Sequence, residues 1–528
     1  MSASLQNLPL GRSDFIALRQ ERRIYADKTR MVYELCRDGD KIFVARPRRF
    51  GKSLLLSTFE SLFKYGLRDF HGLDIENLWN DSTYSVLRLD FSLAKDYSTV
   101  EDFLQRFDTL LRDAVREAGL CMSSEGTDPI GKFSALLSSL PHLSLVLLID
   151  EYDAPLTSRL DDPILFDAVQ QKLSQFYSTV KSYEGRLRFF FMTGITKFSN
   201  TSIFSAFNNI RDISLDPKFG ALLGYTEEEI RRWFGGHLRR AAGCLNLSEE
   251  NVLSGLRENY DGFCFDSKGQ THVYCPWSVL NFLTSPHLGF ANYWFRSGGQ
   301  PAVLMRYLDG HELADPASYG ADLLVPLSAL DASAGYDDLK AEVLLTQAGY
   351  LTVKHACDDG FVQLGYPNKE VSRSMAELYA SQLLKNRRLL RAGSTPVSAV
   401  LKVGTAEEVV RVFNEAVDAI DYQRYPIRDE ASCRAYLQVL LLGAAMLPQV
   451  EVHSALGRCD MLVNIDKRRW VFEFKYAGRS SDAAACLEAA KSQMTSRRYG
   501  GQDAGKELIR IALVFSGEER QFVSWCRV

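Results

Sequence analysis

The sequence predicts an α/β protein: a parallel sheet with helices on both faces, then a helical region and a small C-terminal α/β domain. In residues 1–225 short apolar runs alternate with helical patterns, whereas helical periodicity dominates residues 226–410. From about Arg424 the patterns follow the order helix, strand, strand, helix and strand. A chain of 528 residues is too long for one hydrophobic core, so we expect three domains, at 1–225, 226–410 and 411–528.

Four buried strands are expected in the first domain. Each is a short apolar run, and they are KIFVA (41–45), VLRLDF (86–91), LSLVLLID (143–150) and LRFFFM (187–192). Helical patterns lie between these runs, in LLLSTFESLFKYG and at 99–120 and 164–183. Strands that alternate with helices in this way are typical of a parallel, helix-covered sheet.

The composition is that of an ordinary folded protein, with 46% hydrophobic and 24% charged residues. A net charge of −4 gives no global field toward nucleic acid, so any such contact needs local basic patches. Ten scattered cysteines without a Cys-x-x-Cys pair indicate reduced thiols and a cytoplasmic location. The sequence has no signal-peptide pattern at Met1–Leu10 and no apolar run of about 20 residues, so no membrane contact is expected.

The segment RPRRFGKS connects the predicted strand KIFVA to the following helix. Gly51 would let the backbone approach phosphate, Lys52 would reach the β- and γ-phosphate oxygens, and the Ser53 hydroxyl would ligate Mg²⁺. The match is incomplete because Arg46 stands where a phosphate-binding loop has its first glycine. Taken alone, the segment is also compatible with a basic turn at the start of a surface helix.

A second acidic motif favours nucleotide binding. The apolar run LSLVLLID ends at Asp150, which would hold the Mg²⁺ shell, and Glu151 follows, which would orient the attacking water. This order after Gly-Lys-Ser predicts a site for ATP and Mg²⁺ rather than a capped helix. After the next strand, Thr193 or Thr196 is a candidate polar sensor, and a plain turn explains the pair equally well.

The C-terminal domain contains a second set of charged residues. Asp460 lies in one predicted strand, GRCDMLV, while Glu473 and Lys475 share one face of the next, VFEFK, because side chains alternate along a strand. Two carboxylates together would ligate Mg²⁺, and the lysine would position the attacking water. Glu430, at the start of EASCRAYLQVLLL, is a further acidic residue of this set and a candidate metal ligand. Charge pairing on an exposed strand face is the simpler alternative.

These motifs stand in longer strings that resemble a bacterial family in which an AAA-ATPase-like P-loop domain precedes a PD-(D/E)xK nuclease-like domain of the restriction-endonuclease type. The strings include LPLGRSDFIALRQERRIYADKT, ARPRRFGKSLLLSTFESLF, LLIDEYDAPL, FSAFNNIRD, YDGFCF, LLTQAGYLT, LGYPNKEV, GRCD and VFEFKYA. The resemblance covers nearly the whole chain and implies that Arg46 is normal for the family. It also implies that Gln493 is an accessory residue and that 25–29 lies near the nucleotide, although Asp27 or Thr29 would equally begin a helix.

Several basic residues can be interpreted in two ways. Arg49 is assigned to nucleotide binding, but both Arg48 and Arg49 would suit either a phosphate or a neighbouring subunit. Arg188 and Arg211 are candidate arginine fingers. The basic residues near the C-terminal site would contact nucleic-acid phosphates or form a solvated face; they are Lys467, Arg468, Arg469, Arg479, Arg497 and Arg498.

The functional hypothesis is an Mg²⁺-dependent ATPase coupled to a metal-dependent nuclease that acts on DNA. A role in defence or mobile-DNA processing follows only from the pairing of these two domains. The alternative is a nucleotide-switched scaffold that holds nucleic acid or a protein partner without cutting. The sequence leaves open whether the chain forms a homo-oligomer.

Overall fold

The computed structural model describes two compact units. Their described residues are 5–37, 40–122, 126, 128–197, 209–294, 323–331, 340–357, 359–383, 391–392, 395–420, 422–423, 425–443, 448–454, 457–497 and 506–528. The described residues up to Val371 form the first unit, and those from Ser372 onward form the second.

A five-stranded parallel sheet lies at the centre of the first unit, in the order β2-β3-β4-β1-β5. Its strands are β1 (Lys41–Ala45), β2 (Ser85–Asp90), β3 (Leu145–Asp150), β4 (Leu187–Gly194) and β5 (Arg211–Asp212). The first four confirm the predicted strands to within two residues at each end. The two-residue β5 is too short for an apolar pattern, and residues 198–208 of the family string before it lie outside the described residues.

The helices around this sheet are α1 (Phe15–Gln20), α2 (Thr29–Cys36), α3 (Lys52–Tyr65), α4 (Val100–Glu117), α5 (Pro129–Ser139), α6 (Ala154–Thr157) and α7 (Pro163–Ser182). The three helices predicted from periodicity, α3, α4 and α7, are confirmed. Helix α4 begins after Thr99, whose side chain accepts the backbone N–H of Asp102. Its buried face carries Phe107, whose ring lies edge-on to Phe176 of α7 with centroids 5.2 Å apart.

The middle region is helical, as predicted, but also contains short strands. Its elements are α8 (Glu227–Leu245), α9 (Glu249–Tyr260), β6 (Phe263–Cys264), β7 (His272–Val273), α10 (Pro276–Thr284), β8 (Leu323–Pro326), α11 (Leu327–Asp331), α12 (Ala341–Gln347), β9 (Thr352–Ala356) and β10 (Phe361–Gly365). A capping box between Thr226 and Glu229 starts α8, close to the expected boundary at 225/226. Strands β8, β10 and β9 form an antiparallel sheet.

The second unit is built around a mixed five-stranded sheet in the order β13-β14-β15-β16-β17. Its elements follow α13 (Lys369–Leu383): β11 (Arg391–Ala392), β12 (Thr395–Pro396), α14 (Val397–Val403), α15 (Ala406–Asp418), α16 (Glu430–Gly443), β13 (Pro448–Ser454), β14 (Gly457–Ile465), β15 (Arg468–Ala477), α17 (Ala483–Arg497), β16 (Glu507–Ser516) and β17 (Gln521–Arg527). Strands β15 and β16 are parallel and α17 connects them, whereas the other pairs are antiparallel. The predicted elements are all present, and two edge strands, β13 and β17, are added.

The three-part division of the chain stays a prediction, and the contacts favour an earlier start for the last domain. The Trp470 indole nitrogen donates a hydrogen bond to the Leu401 carbonyl oxygen (2.7 Å), and the Arg468 guanidinium donates to the Gly404 carbonyl oxygen (2.6 Å). Helix α14 and the start of α15 therefore pack with the C-terminal sheet. In the part of the chain that the structure describes, no helix is long and apolar enough to cross a membrane.

Candidate functional site

The loop between β1 and α3 adopts a backbone conformation that suits phosphate. Gly51 caps α3 with a φ of 98°, in the left-handed region that glycine adopts without strain. No side chain caps the first amides of this 14-residue helix. The helix therefore presents unpaired N–H groups and the positive end of its dipole at the loop, as an anion site requires.

Lys52 lies folded over this loop. Its side chain is 7% exposed, and its ammonium donates hydrogen bonds to the carbonyl oxygens of Arg46 (2.9 Å) and Pro47 (3.0 Å). Burial lowers the pKa of Lys52, and the negative charges of Asp150 and Glu151 oppose that shift. The lysine is thus held by weak neutral acceptors in a pocket where an anionic ligand would bind it more strongly.

The acidic residues at the end of β3 lie at the same place. Burial raises the pKa of Asp150, and the nearby Ser53 hydroxyl and the Lys52 charge oppose that shift. Burial also raises the pKa of Glu151, against the effect of Lys52. Glu151 has a φ of 45°, a strained value for this residue type that is often found at functional sites. The structure therefore brings together Lys52, Ser53, Asp150 and Glu151.

Arg46, in the place of the missing glycine, points into the protein. Its side chain is 1% exposed and donates hydrogen bonds to the carbonyl oxygens of Ala45 (2.9 Å) and Ser214 (2.6 Å). Its guanidinium carbon lies 4.3 Å from the ring centroid of Phe265. Burial lowers the pKa of Arg46 to about 9, and the charge of Asp212 opposes this shift. Arg46 therefore anchors the start of the loop and does not face the phosphate site.

The middle region packs directly on the phosphate loop. The Arg49 guanidinium lies over the Trp277 ring, 4.2 Å from its centroid. Phe50 makes edge-on contacts with Phe263 and Phe265, with ring centroids 4.9 and 5.1 Å away. Arg49, which the sequence assigns to nucleotide binding, is therefore exposed but stacked on an aromatic ring, unlike the buried Lys52.

The two candidate sensor threonines have different surroundings. One carboxylate oxygen of Asp153 accepts the backbone N–H groups of Ile195 (3.1 Å) and Thr196 (2.8 Å) and the Thr196 hydroxyl (2.6 Å). The Thr193 hydroxyl instead donates to the Val44 carbonyl oxygen in β1 (2.7 Å). Thr196 is therefore attached to the acidic motif, whereas Thr193 stabilises the sheet.

Two acidic residues beside this site are absent from the sequence prediction. Asp153 is the third acidic residue after the apolar run of β3, and Asp90 ends β2 in register with Asp150. The charge of Asp90 adds to burial in raising the pKa of Asp150. The sequence could have identified Asp90, because it lies near the end of a predicted strand and the carboxyl ends of neighbouring parallel strands lie side by side.

The candidate arginine fingers and the phosphate loop lie at opposite ends of the parallel strands. Arg188 is the second residue of β4 and forms an ion pair with Asp81 (2.7 Å). Arg211 is the first residue of β5 and pairs with Asp216 (2.9 Å). Both arginines lie at the amino ends of their strands, whereas the phosphate loop follows the carboxyl end of β1. Neither arginine reaches the nucleotide site of its own chain, and the 530 Å³ cavity that Arg188 and Asp81 line is not that site.

Residues 25–29, which the resemblance places near the nucleotide, lead into α2, whose N-cap is Lys28 and neither Asp27 nor Thr29. The Asp27 carboxylate accepts the backbone N–H of Thr29 (2.8 Å) and that of Asp74 (2.8 Å). Lys28 forms a half-buried ion pair with Glu229 of α8 (2.6 Å). These contacts fit a segment that leads into a helix and also tie α2 to the middle region.

In the second unit, Glu473 is a fully buried carboxylate on β15. It is 0% exposed, and neither of its carboxylate oxygens has a hydrogen-bond partner among the described residues. Burial raises the pKa of Glu473 to about 7; the nearby Asp460 charge adds to this shift and Lys475 opposes it. A buried carboxylate without partners is unfavourable unless a proton or a cation joins it.

Asp460 and Lys475 lie beside this carboxylate. Asp460 accepts the backbone N–H of Phe474 (2.8 Å), and burial raises its pKa despite that bond. The Lys475 ammonium lies 3.0 Å from a Glu430 oxygen and 3.7 Å from a Glu473 oxygen. Burial alone would lower the pKa of Lys475, but the contact with Glu430 raises it. The structure thus brings the four predicted residues of this site together.

The alternation along β15 explains why Glu473 is inside. Phe472 and Phe474 stack on each other and pack against Phe413 of α15 and Phe522 of β17. Val471, two residues before Glu473, packs on the opposite side with α17 residues Ala490 and Met494. Both faces of this central strand are therefore covered, so Glu473 is buried and Lys475 is half-buried. Gln493, the implied accessory residue, is half-buried on α17.

The basic residues near this site are only partly available to a partner. Arg468 pairs with Glu507 (3.1 Å), and Arg469 donates to the Asn464 side chain (3.0 Å). These two arginines stabilise the domain. Lys467, Arg479 and Arg497 are exposed, and Arg498 lies outside the described residues.

The residues at both sites fit Mg²⁺. At the phosphate loop, Ser53 and Asp150 supply a hydroxyl and a carboxylate that lie near each other. In the second unit, the unpartnered oxygens of Glu473 lie beside Asp460. Within the described ranges no three His, Cys, Asp or Glu side chains form a complete metal cluster. Magnesium needs fewer, because it usually keeps several waters and takes one or two carboxylates plus phosphate oxygens.

Comparison with known proteins agrees with this geometry. Residues 9–204 match a family described as a predicted AAA-ATPase, and residues 431–525 match the PD-(D/E)XK nuclease superfamily. These matches confirm the resemblance of both parts of the chain. One relative, described as an uncharacterized protein in the vnfD 5′ region of Azotobacter chroococcum mcd 1, is 28% identical over 533 residues, which cover 99% of each chain.

Proposed function

We propose that this chain, which carries an AAA-ATPase-like domain and a PD-(D/E)XK nuclease superfamily domain, hydrolyses ATP and cleaves DNA under the control of its nucleotide state. The single observation that carries the nuclease half is Glu473, a buried carboxylate whose oxygens have no hydrogen-bond partner among the described residues and whose nearest cation, Lys475, is 3.7 Å away. Protein interiors rarely keep such a group for packing alone, because an apolar residue of similar volume costs less.

The nucleotide half rests on four residues that lie together. Lys52 would exchange its two backbone acceptors for phosphate oxygens, and the free amides of α3 would hold the same anion. Ser53 and Asp150 would hold the ion that accompanies ATP. Glu151, with a raised pKa, is suited to orient the attacking water and accept its proton.

At the nuclease-like site, the chain's own residues would position water and phosphate. Mg²⁺ would supply a Lewis acid that polarises the phosphoryl oxygen and lowers the pKa of a bound water. Lys475 would donate a hydrogen bond to the attacking water or to the developing negative charge. Glu430 holds the Lys475 ammonium at 3.0 Å and so fixes its position. The proposed substrate is DNA, and RNA is an arm of the test.

The test is cleavage of linear, circular and single-stranded DNA and of RNA, with Mg²⁺ or Mn²⁺, with and without ATP. Glu473→Gln and Lys475→Ala should each reduce cleavage at least about a hundredfold, because each removes a group that acts in the reaction. The matched controls are Glu488→Gln and Lys491→Ala, which alter an exposed ion pair on α17 (2.7 Å) and should leave cleavage unchanged. Equal cleavage by Glu473→Gln and the wild type would contradict the proposal.

The alternative is a nucleotide-switched scaffold whose C-terminal domain binds without cutting. One observation favours it: the Lys475 ammonium makes its shorter contact with Glu430, away from Glu473. Under this alternative the wild type cleaves none of the substrates with either metal. ATP would still change its affinity for nucleic acid, which gel-shift titration measures.

A further inference from the structure

The three arginines of the phosphate loop have different surroundings. Arg46 is buried against Phe265 and backbone carbonyl groups, and Arg49 is stacked on Trp277. Arg48, between them, is half-buried, and its buried Nε–H has no hydrogen-bond partner among the described residues. Two of these side chains therefore stabilise the loop, and the third has no such role.

The neighbours of Arg48 are the groups of the nucleotide site. Its positive charge acts on Lys52, whose pKa it helps to lower after burial, and on Glu151, whose pKa it lowers against burial. No ion pair joins Arg48 to a carboxylate in the described part of the chain. A half-buried guanidinium with an unpaired donor is costly, and an anionic ligand with several acceptor oxygens would remove that cost.

We propose that Arg48 binds the terminal phosphate of ATP and acts from within the loop as the arginine that stabilises the transferred phosphoryl group. This inference rests on the proposed nucleotide-binding function and deepens it. It also explains why the chain does not need Arg188 or Arg211 at this site, since both are paired at the opposite end of the parallel strands.

The chemistry of the step is ordinary hydrolysis. The oxygen of water forms a bond to the terminal phosphorus, and the bond from that phosphorus to the bridging oxygen breaks. The electron pair stays with ADP, and the proton of water passes to Glu151. Arg48 donates hydrogen bonds to the phosphoryl oxygens, where negative charge is shared as the bond breaks, and Lys52 does the same.

The first test separates ATP from ADP by calorimetric titration of the full chain with each nucleotide. Arg48→Ala should weaken ATP binding about tenfold or more and change ADP binding less than about twofold, because only ATP carries the contacted phosphate. Arg48→Lys should restore part of the preference, since a lysine keeps the charge without the planar fork. Arg116→Ala, at an exposed arginine of α4, is the matched control and should bind both nucleotides normally.

Steady-state hydrolysis is the second readout. Arg48→Ala should lower kcat by about a hundredfold or more, and Arg116→Ala should leave it unchanged. Equal losses for ATP and ADP, or no loss for either, would overturn the role of Arg48 while leaving nucleotide binding intact. Wild-type protein that binds neither nucleotide would instead overturn the proposed function itself.

Discussion

The two candidate sites contain the same kinds of groups, but their lysines have different partners. At the phosphate loop, the Lys52 ammonium donates its hydrogen bonds to two backbone carbonyl oxygens, although the acidic end of β3 is nearby. At the C-terminal site, the Lys475 ammonium instead forms ion pairs with Glu430 and Glu473. The lysine pKa values differ accordingly, since burial lowers that of Lys52 whereas Glu430 raises that of Lys475.

The difference teaches what each site lacks. A buried lysine with a lowered pKa and only neutral acceptors lacks an anion, and ATP supplies one. A buried carboxylate with a raised pKa and no hydrogen bond lacks a cation or a proton. The first site is therefore suited to a polyphosphate and the second to a metal ion, although both contain a lysine and several acidic residues.

Removing the lysine of the first site should have the largest effect. Lys52→Ala should weaken ATP binding about a thousandfold, equivalent to about 4 kcal/mol, because it deletes a buried charge that contacts phosphate. The folded protein should not lose stability, since the wild-type chain spends free energy on burying this charge. Calorimetric titration measures the affinity, and thermal unfolding measures the stability.

Lys64→Ala, on the same helix but only half-buried, is the control for this substitution. Its ammonium donates a hydrogen bond to the Glu117 carbonyl oxygen (3.4 Å) and lies 5.7 Å from the centroid of the Tyr65 ring. We expect normal ATP affinity in this variant. If Lys52→Ala also bound ATP with wild-type affinity, the conclusion that the first site binds a polyphosphate through its lysine would be wrong.

The second prediction concerns the close packing around Gly194, beside the acidic residues of the first site. A methyl group on Gly194 would lie 2.5 Å from a carboxylate oxygen of Asp153 and 2.6 Å from the Tyr152 ring. Neither neighbour yields easily, because Asp153 accepts bonds from Thr196 and the buried Tyr152 hydroxyl donates to the Thr196 carbonyl oxygen. Gly194→Ala should therefore lower the free energy of unfolding by about 3 kcal/mol, measured by chemical denaturation.

Gly243 provides the matched control for this change. It lies in α8 with nothing within 4 Å of an added methyl group. Gly243→Ala should raise stability by about 0.5 kcal/mol because alanine favours helix. Equal effects of the two substitutions would show that the acidic motif and the sensor turn are not closely packed.

Much of the fold followed from the sequence because it depends on local patterns. The runs KIFVA and LRFFFM are apolar enough to predict β1 and β4, and the order of the motifs predicts the residues that meet at the phosphate loop. Two-residue β5 and edge strands β13 and β17 were missed, since short strands and strands without a run of consecutive apolar residues carry little apolar pattern.

The site details that escaped prediction depend on tertiary contacts. Nothing in the string RPRRFGKS distinguishes its arginines, yet Arg46 is buried by contacts with Ser214 and Phe265, more than 160 residues away in sequence. The burial of Glu473 likewise depends on helices that cover both faces of β15. Pairing on an exposed strand face, the simpler alternative, is therefore wrong for Glu473, which is 0% exposed.

The smallest expected effect tests the second half of the comparison. Folded Glu473 ionises near pH 7, whereas an unfolded glutamate ionises near its ordinary pKa of 4.5, so the folded state holds an extra proton between those values. Stability should therefore fall as pH rises from about 4.5 to 7 in metal-free buffer, because ionising the buried group opposes folding. Glu473→Gln removes this charge and should raise the stability of β15 by about 2 kcal/mol at pH 8, with a flatter pH dependence. Hydrogen exchange of β15 amides at several pH values measures both effects, and Glu488→Gln should reproduce the wild-type slope.

Added Mg²⁺ should stabilise the wild type more at pH 8 than at pH 6, since the ion competes with the proton, and should not stabilise β15 in the Glu473→Gln variant. A wild-type slope that persists in Glu473→Gln would assign the proton to another group and remove the case for a cation at this site.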